Sequence, residues 1–222
     1  MYNNSQIINN NKNYKKVLIL LHPMYCDTNY FNTYINYFKE NNLEFYKNTK
    51  FILVQSPRTD IDYPNNKEYN INSWYNYYTC YNGLNKIDII NINHFNNQSN
   101  RIINIINNES KIIKPKNIYL LGVSQGGTLI FNILNKLKFN IGGLFAIKTI
   151  YMDNFINANN NKNTPIYIYS GANDEIYPLI LQKNLINILK KNNYKIIWKI
   201  IENLNHSDII NEEYKFILNN IY

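Results

Sequence analysis

Six short apolar runs punctuate this chain at 17–21, 51–55, 117–121, 143–147, 165–169 and 195–201, and few folds accommodate them in that order. Each is rich in Ile, Leu, Val, Phe or Tyr, as strands buried on both faces are. Between many of them lie residues with helical spacing. Tyr30, Tyr34 and Phe38 form one such set; Ile102, Ile103 and Ile106 another; Ile130, Ile133, Leu134 and Leu137 a third. Leu181, Leu185, Ile188 and Leu189 follow, and then Tyr214, Ile217, Leu218 and Ile221. Strands alternating with helices predict an α/β fold with a mostly parallel sheet covered on both faces. A chain of 222 residues is the length of one domain, and no internal repeat is visible. The Asn-rich stretches at 1–13, 91–100 and 157–163 read as a frayed N-terminal tail and surface loops, which leaves a single domain over 14–222.

Composition narrows the function classes. Asn, Ile, Lys and Tyr are abundant while Ala, Gly, Pro and Arg are scarce, the pattern of AT-rich codons rather than of a disordered segment. The formal net charge is +8, with 23 Lys and Arg residues. Those residues are mostly scattered lysines, and Arg, which suits planar phosphate and base contacts, stands only at Arg58 and Arg101. Nucleic acid is therefore not the expected partner. The lysine excess leaves room for weak, salt-sensitive peripheral contact with an anionic membrane. Cys26 and Cys80 are too few for a disulfide framework. With no run of 18 apolar residues and no visible secretory segment, reduced thiols in the cytoplasm are expected.

The chemistry concentrates after the third run, where Gly122-Val123-Ser124-Gln125-Gly126 gives Gly-x-Ser-x-Gly between a predicted strand and a predicted helix. A nucleophilic serine needs a strained strand-to-helix turn with small flanking residues, and the helix N-terminus behind it offers N–H groups to a developing oxyanion. Its base must come from His22, His94 or His206, the only histidines. His94 lies in a polar stretch away from any strand end and reads as a surface residue. His22 follows the first strand, at the mouth of a ligand site. His206 follows the last strand, and the order serine, acid, histidine selects it as base. Asp174, in the loop after run 165–169, supplies the acid; Asp153 is its competitor but lacks a comparable loop.

These segments resemble the acyl-protein thioesterase and phospholipase–carboxylesterase family of α/β-hydrolases. The nucleophile segment 122–127 matches that family's Gly-Phe-Ser-Gln-Gly-Gly but for Val123, and the segments 21–28, 72–76, 170–178 and 203–207 are similar to its other motifs, in the family's order. Pro23 stands where the family has Gly, one residue is inserted before Asp27, and Gly is missing before His206. The resemblance implies an esterase or thioesterase with Ser124 as nucleophile, His206 as base and Asp174 orienting it. It further implies an oxyanion hole from the Met24 and Gln125 N–H groups, and an acyl pocket involving His22, Trp74 and Tyr75. The implied substrates are S-acylated proteins or lysophospholipids. No cofactor or metal is expected, since no Cys/His cluster has ligand spacing and no dinucleotide fingerprint occurs. Two other readings stay open: a small-molecule esterase or lactone hydrolase, and a catalytically silent binding protein on the same fold.

Overall fold

All six apolar runs become parallel neighbours in one sheet of the computed structural model, which describes residues 5–9, 13–152 and 161–221. The strands are β1 (Ser5–Ile8), β2 (Lys16–Leu21), β3 (Thr49–Val54), β4 (Arg58–Tyr63), β5 (Asn66–Asn72), β6 (Ile118–Val123), β7 (Gly143–Ile147), β8 (Ile166–Gly171) and β9 (Ile196–Ile201). The helices are α1 (Asn32–Asn41), α2 (Leu43–Asn48), α3 (Ile92–Glu109), α4 (Gln125–Lys136), α5 (Leu179–Lys191) and α6 (Asn211–Leu218). The main sheet runs β1-β3-β2-β6-β7-β8-β9, with only β1 antiparallel.

Strand alternation sorts side chains between two cores. Val17, Ile19, Leu21, Ile118 and Leu120 face one side, where α3, α4 and α5 pack. Leu18, Leu20, Tyr119, Leu121 and Val123 face the other, against α1, α2 and α6. A strand with both faces covered must be apolar throughout, which is why the runs do not alternate with polar residues. The chain winds one way from β2 to β3 and the other from β6 to β9. The reversal lies between β2 and β6, and a crevice opens beyond their carboxyl ends.

Two expectations need correcting. Ser5–Ile8, assigned to a frayed tail, pairs with β3 as an edge strand, Ser5 opposite Val54. The stretch 91–100, read as a loop, opens α3: Asn91 caps it by accepting the His94 N–H, and Phe95, Ser99, Ile102 and Ile106 line its buried face. Tertiary burial there overrides the poor helix propensity of asparagine. His94 is half-buried on the first turn, far along the chain from any strand end. The third stretch, 157–163, lies largely outside the described residues, as does Asp153. The hairpin β4–β5 forms a separate two-stranded sheet.

Beneath the loop joining β9 to α6, Lys148 is buried at the end of β7. Its Nζ donates to the Asp208 carbonyl and lies 3.3 Å from Glu213 Oε2 on α6. The other Glu213 oxygen accepts the Tyr34 hydroxyl. Burial pushes the Glu213 carboxyl above its ordinary range while Lys148 pulls it down. Removing one partner of such a pair strands the other. Lys148→Met should cost about 3–5 kcal/mol in urea unfolding at neutral pH, and Lys148→Met/Glu213→Gln should recover a large part of it. A single variant as stable as the wild type would mean that the pair contributes nothing.

Candidate active site

The turn from β6 into α4 puts Ser124 at φ 52° and ψ −117°, a conformation bulky residues rarely adopt. Its N–H donates to the Ile147 carbonyl at 2.9 Å, and its carbonyl accepts the Thr149 hydroxyl at 2.9 Å and the Thr128 N–H at 3.0 Å. The strained residue is thus held from both sides. Glycines let the helix start this close to the sheet: a Cβ on Gly126 would sit 2.3 Å from the Leu21 carbonyl oxygen.

His206, in the loop after β9, meets this serine. Its Nε2 is 2.8 Å from Ser124 Oγ, and its Nδ1 is 2.9 Å from both Asp174 oxygens. A carboxylate facing Nδ1 can only accept, so Nδ1 carries the proton and Nε2 is left to take one from the hydroxyl. Asp174 is buried, and its Oδ1 also accepts the Ile176 and Tyr177 N–H groups at 3.0 and 2.7 Å, which fixes the carboxylate. Two supports of this arrangement escaped the sequence reading. Glu175 Oε2 accepts the His206 N–H at 2.9 Å, and the Tyr177 ring meets the imidazole edge-on with centroids 5.2 Å apart.

Met24 and Gln125 flank the serine in the same cavity, and among the described residues neither N–H has a hydrogen-bond acceptor. Pro23-Met24-Tyr25-Cys26 forms a tight turn, the Cys26 N–H donating to the Pro23 carbonyl at 3.3 Å, with Tyr25 left-handed at φ 68°. The cavity holds about 830 Å³. Its walls include Tyr30, Tyr63, Tyr77 and Tyr177, with Glu68 and Asp88 as carboxylates and, among the described residues, no Lys or Arg. No group of three or more His, Cys, Asp or Glu among the described residues could hold a metal, and no described helix is long and apolar enough to cross a membrane.

The three residues assigned to the acyl pocket lie elsewhere. His22, Trp74 and Tyr75 are fully buried and do not line the cavity. Trp74 Nε1–H donates to the His22 carbonyl at 2.8 Å, and its N–H donates to Gln125 Oε1 at 2.8 Å. Gln125 Nε2 donates to the Tyr75 carbonyl at 3.1 Å, so this side chain binds segment 73–75 to the serine turn. The Tyr75 hydroxyl meets Met152 Sδ at 3.7 Å. Aromatic residues near a nucleophile suggest a pocket; here they make the floor beneath it.

His22 Nε2 accepts the Ser56 N–H at 3.0 Å, and Nδ1 lies 2.7 Å from the Pro23 carbonyl, so the ring is neutral. Burial, opposed by that bond to Pro23, holds its pKa down to about 4. The unfolded chain binds a proton at this histidine below about 6.5. Stability from the buried neutral ring is therefore complete above that pH and is lost as pH falls toward 4, by about 3 kcal/mol at most. Urea unfolding across pH 7 to 4 should show this slope in the wild type and lose that part of it in His22→Gln. Identical slopes would show that His22 does not carry it.

Solved structures share this architecture. SOBER1 of Arabidopsis thaliana is 19% identical, with 93% of this chain and 97% of that one covered at a TM-score of 0.79. Acyl-protein thioesterase 2 of Zea mays is 14% identical, covering 98% and 99% at a TM-score of 0.77. The Bacillus cereus carboxylesterase is 14% identical, covering 97% and 92% at 0.72. At these identities the likeness establishes the α/β-hydrolase fold. The chain matches no curated protein in sequence. The profile of the phospholipase/carboxylesterase family, however, matches residues 2–222, and with strands, serine turn and crevice arranged as described, the chain belongs to that family.

Proposed function

We propose that this protein is a serine hydrolase that cleaves carboxylic esters or thioesters through an acyl-enzyme on Ser124. The observation that carries this reading is the continuous chain Asp174–His206–Ser124, with bonds of 2.9 and 2.8 Å. Ser124 Oγ attacks the acyl carbonyl while His206 Nε2 takes its proton, and Asp174 stabilises the imidazolium. The carbonyl oxygen becomes an oxyanion held by the Met24 and Gln125 N–H groups. Collapse breaks the bond to the alcohol or thiol, which leaves with the proton from His206. Water then attacks the acyl-enzyme by the same route, giving the carboxylic acid and free Ser124.

A cavity of about 830 Å³ is large enough for an extended acyl group. That supports S-acylated proteins or lysophospholipids as substrates over small lactones. Walls that carry carboxylates and, among the described residues, no Lys or Arg disfavour esters with an anion close to the reacting carbonyl. The free thiols of Cys26 and exposed Cys80 fit a reducing compartment such as the cytoplasm.

Labelling by a fluorophosphonate and ester turnover should both vanish in Ser124→Ala while the fold survives. Asp174→Asn should cost orders of magnitude in kcat and Glu175→Gln little, because a glutamine oxygen can still accept the His206 N–H. The reverse pattern would move the acid to Glu175, and labelling that persists in Ser124→Ala would move the nucleophile.

Met24→Pro removes one oxyanion donor and should lower kcat by about 10²–10³, provided circular dichroism shows a native fold. Full activity in a folded Met24→Pro protein would exclude this N–H from the oxyanion hole.

A further inference from the structure

Between Tyr77 and Ile90 the chain makes a closed loop whose polarity is inverted. Tyr77 and Ile90 pair in an isolated antiparallel bridge at its base, and the Tyr78 N–H donates to the Ile89 carbonyl at 2.8 Å. Asp88 turns inward and is buried, its Oδ1 accepting the Thr79 hydroxyl at 2.7 Å and the Tyr81 N–H at 2.8 Å. Its neighbours Ile87 and Ile89 turn outward, 46% and 58% exposed, and Leu84 at the tip is 52% exposed. An extended segment that met only water would place the carboxylate outside and the isoleucines inside.

The inversion is held in place. The Thr79 hydroxyl also accepts the Ile89 N–H at 2.9 Å. The tip is tied down by the Leu84 N–H to the Tyr81 carbonyl at 2.8 Å, and by the Gly83 N–H to the Ile176 carbonyl at 3.3 Å. Of the twelve large hydrophobic residues exposed among the described residues, four (Tyr78, Leu84, Ile87 and Ile89) lie on this loop and a fifth, Ile92, opens α3 directly after it. Such a concentration on one braced loop marks a contact surface, whereas apolar residues scattered singly would not. Tyr81, Asn82 and Asp88 of the same loop line the cavity over Ser124, so the loop that carries the patch borders that cavity.

We propose that loop 78–92 is a lipid-docking element that seats the cavity mouth on an anionic bilayer surface. Aliphatic side chains beside Tyr and Lys are the composition of segments that lie in the headgroup region. Lys86, whose Nζ stands 5.5 Å from the Tyr81 ring, sits among them. The net charge of +8 complements anionic headgroups and draws the chain to such a surface. Under the esterase reading, docking there brings the mouth to acyl chains that partition into the bilayer. The binding itself does not depend on that reading.

Co-sedimentation with vesicles of phosphatidylcholine and phosphatidylserine at low ionic strength tests it. The wild type should bind, and Ile87→Ser/Ile89→Ser should lower the partition coefficient by about tenfold or more. The thermal midpoint and the turnover of a water-soluble short-chain ester should stay unchanged. Leu84→Ser, outside the Asp88 clasp, should give a smaller loss of the same sign and serves if the double variant does not fold. A wild type that does not bind, or variants that bind as tightly as it does, overturns the proposal. So does a wild-type dimer without vesicle binding that the variants dissolve, which would assign the patch to a second copy. Failure of the wild type to turn over any ester would count against Ser124 alone, because vesicle binding is read separately.

Discussion

The site depends on one close approach, the first turn of α4 lying at backbone distance from the sheet. A Cβ on Gly122 would fall 2.4 Å from the Gly126 carbonyl oxygen, and one on Gly127 would fall 2.8 Å from Thr149 Cβ. With no side chain in that space, the helix begins directly over the ends of β2 and β6, and Ser124 is forced to positive φ at the corner. The strain is offset by what surrounds it: ladder contacts to β7, two threonine hydroxyls and the side chain of Gln125 gripping segment 73–75. The same geometry puts the serine and the N-terminus of α4 in one cavity, where attack and charge development would coincide under the proposed reading.

The histidine approaches from a loop with no regular structure, so its position has to be imposed. Below, Lys148 ties the Asp208 carbonyl to Glu213; above, Glu175 holds the His206 N–H. Both charged partners of the lower tie are almost fully removed from water, and such a pair contributes little net stability but is costly to break. It therefore acts more as a registration device than as a source of stability. A shift of α6 or of β7 would reach the imidazole through it. The upper tie belongs to the same loop as Asp174, so the acid and the backbone of the base are fixed by adjacent residues.

What the sequence disclosed follows from how each element is stabilised. Strands such as Phe51 to Val54 are buried on both faces and cannot be written in polar residues, so they were legible. The order of Ser124, Asp174 and His206 was legible too, because each lies at a strand end with few competitors. The hairpin β4–β5 was not: it packs chiefly against itself, much of it is exposed, and Arg-Thr-Asp-Ile-Asp-Tyr has no apolar stripe to report. Strand β1 hides in Ser-Gln-Ile-Ile, too short to show a period. The first half of α3 was masked by asparagines: Asn93, Asn97 and Asn100 face water, and Asn96 accepts from Asn132 and Lys136 of α4. Trp74 misled for a different reason: its position was right for the site, but its N–H groups are spent on His22 and Gln125, and a side chain committed to the floor cannot form a wall.

The hairpin nonetheless reaches the chemistry. In a loop without glycine, Tyr25 takes the left-handed conformation at φ 68°, and something must hold a bulky residue there. The Tyr25 N–H donates to the Asn72 carbonyl at the end of β5 at 2.9 Å, and its hydroxyl donates to Glu68 on the same strand at 3.1 Å. With Tyr25 fixed and Pro23 restricted at φ, the peptide between Pro23 and Met24 has little freedom left. The Met24 N–H lies in the same cavity as Ser124 and has no competing acceptor among the described residues. The inserted residue and the replacement of glycine by proline thus compensate each other through β5. A polar hairpin that adds nothing to the main sheet becomes the brace for the loop that would receive the oxyanion.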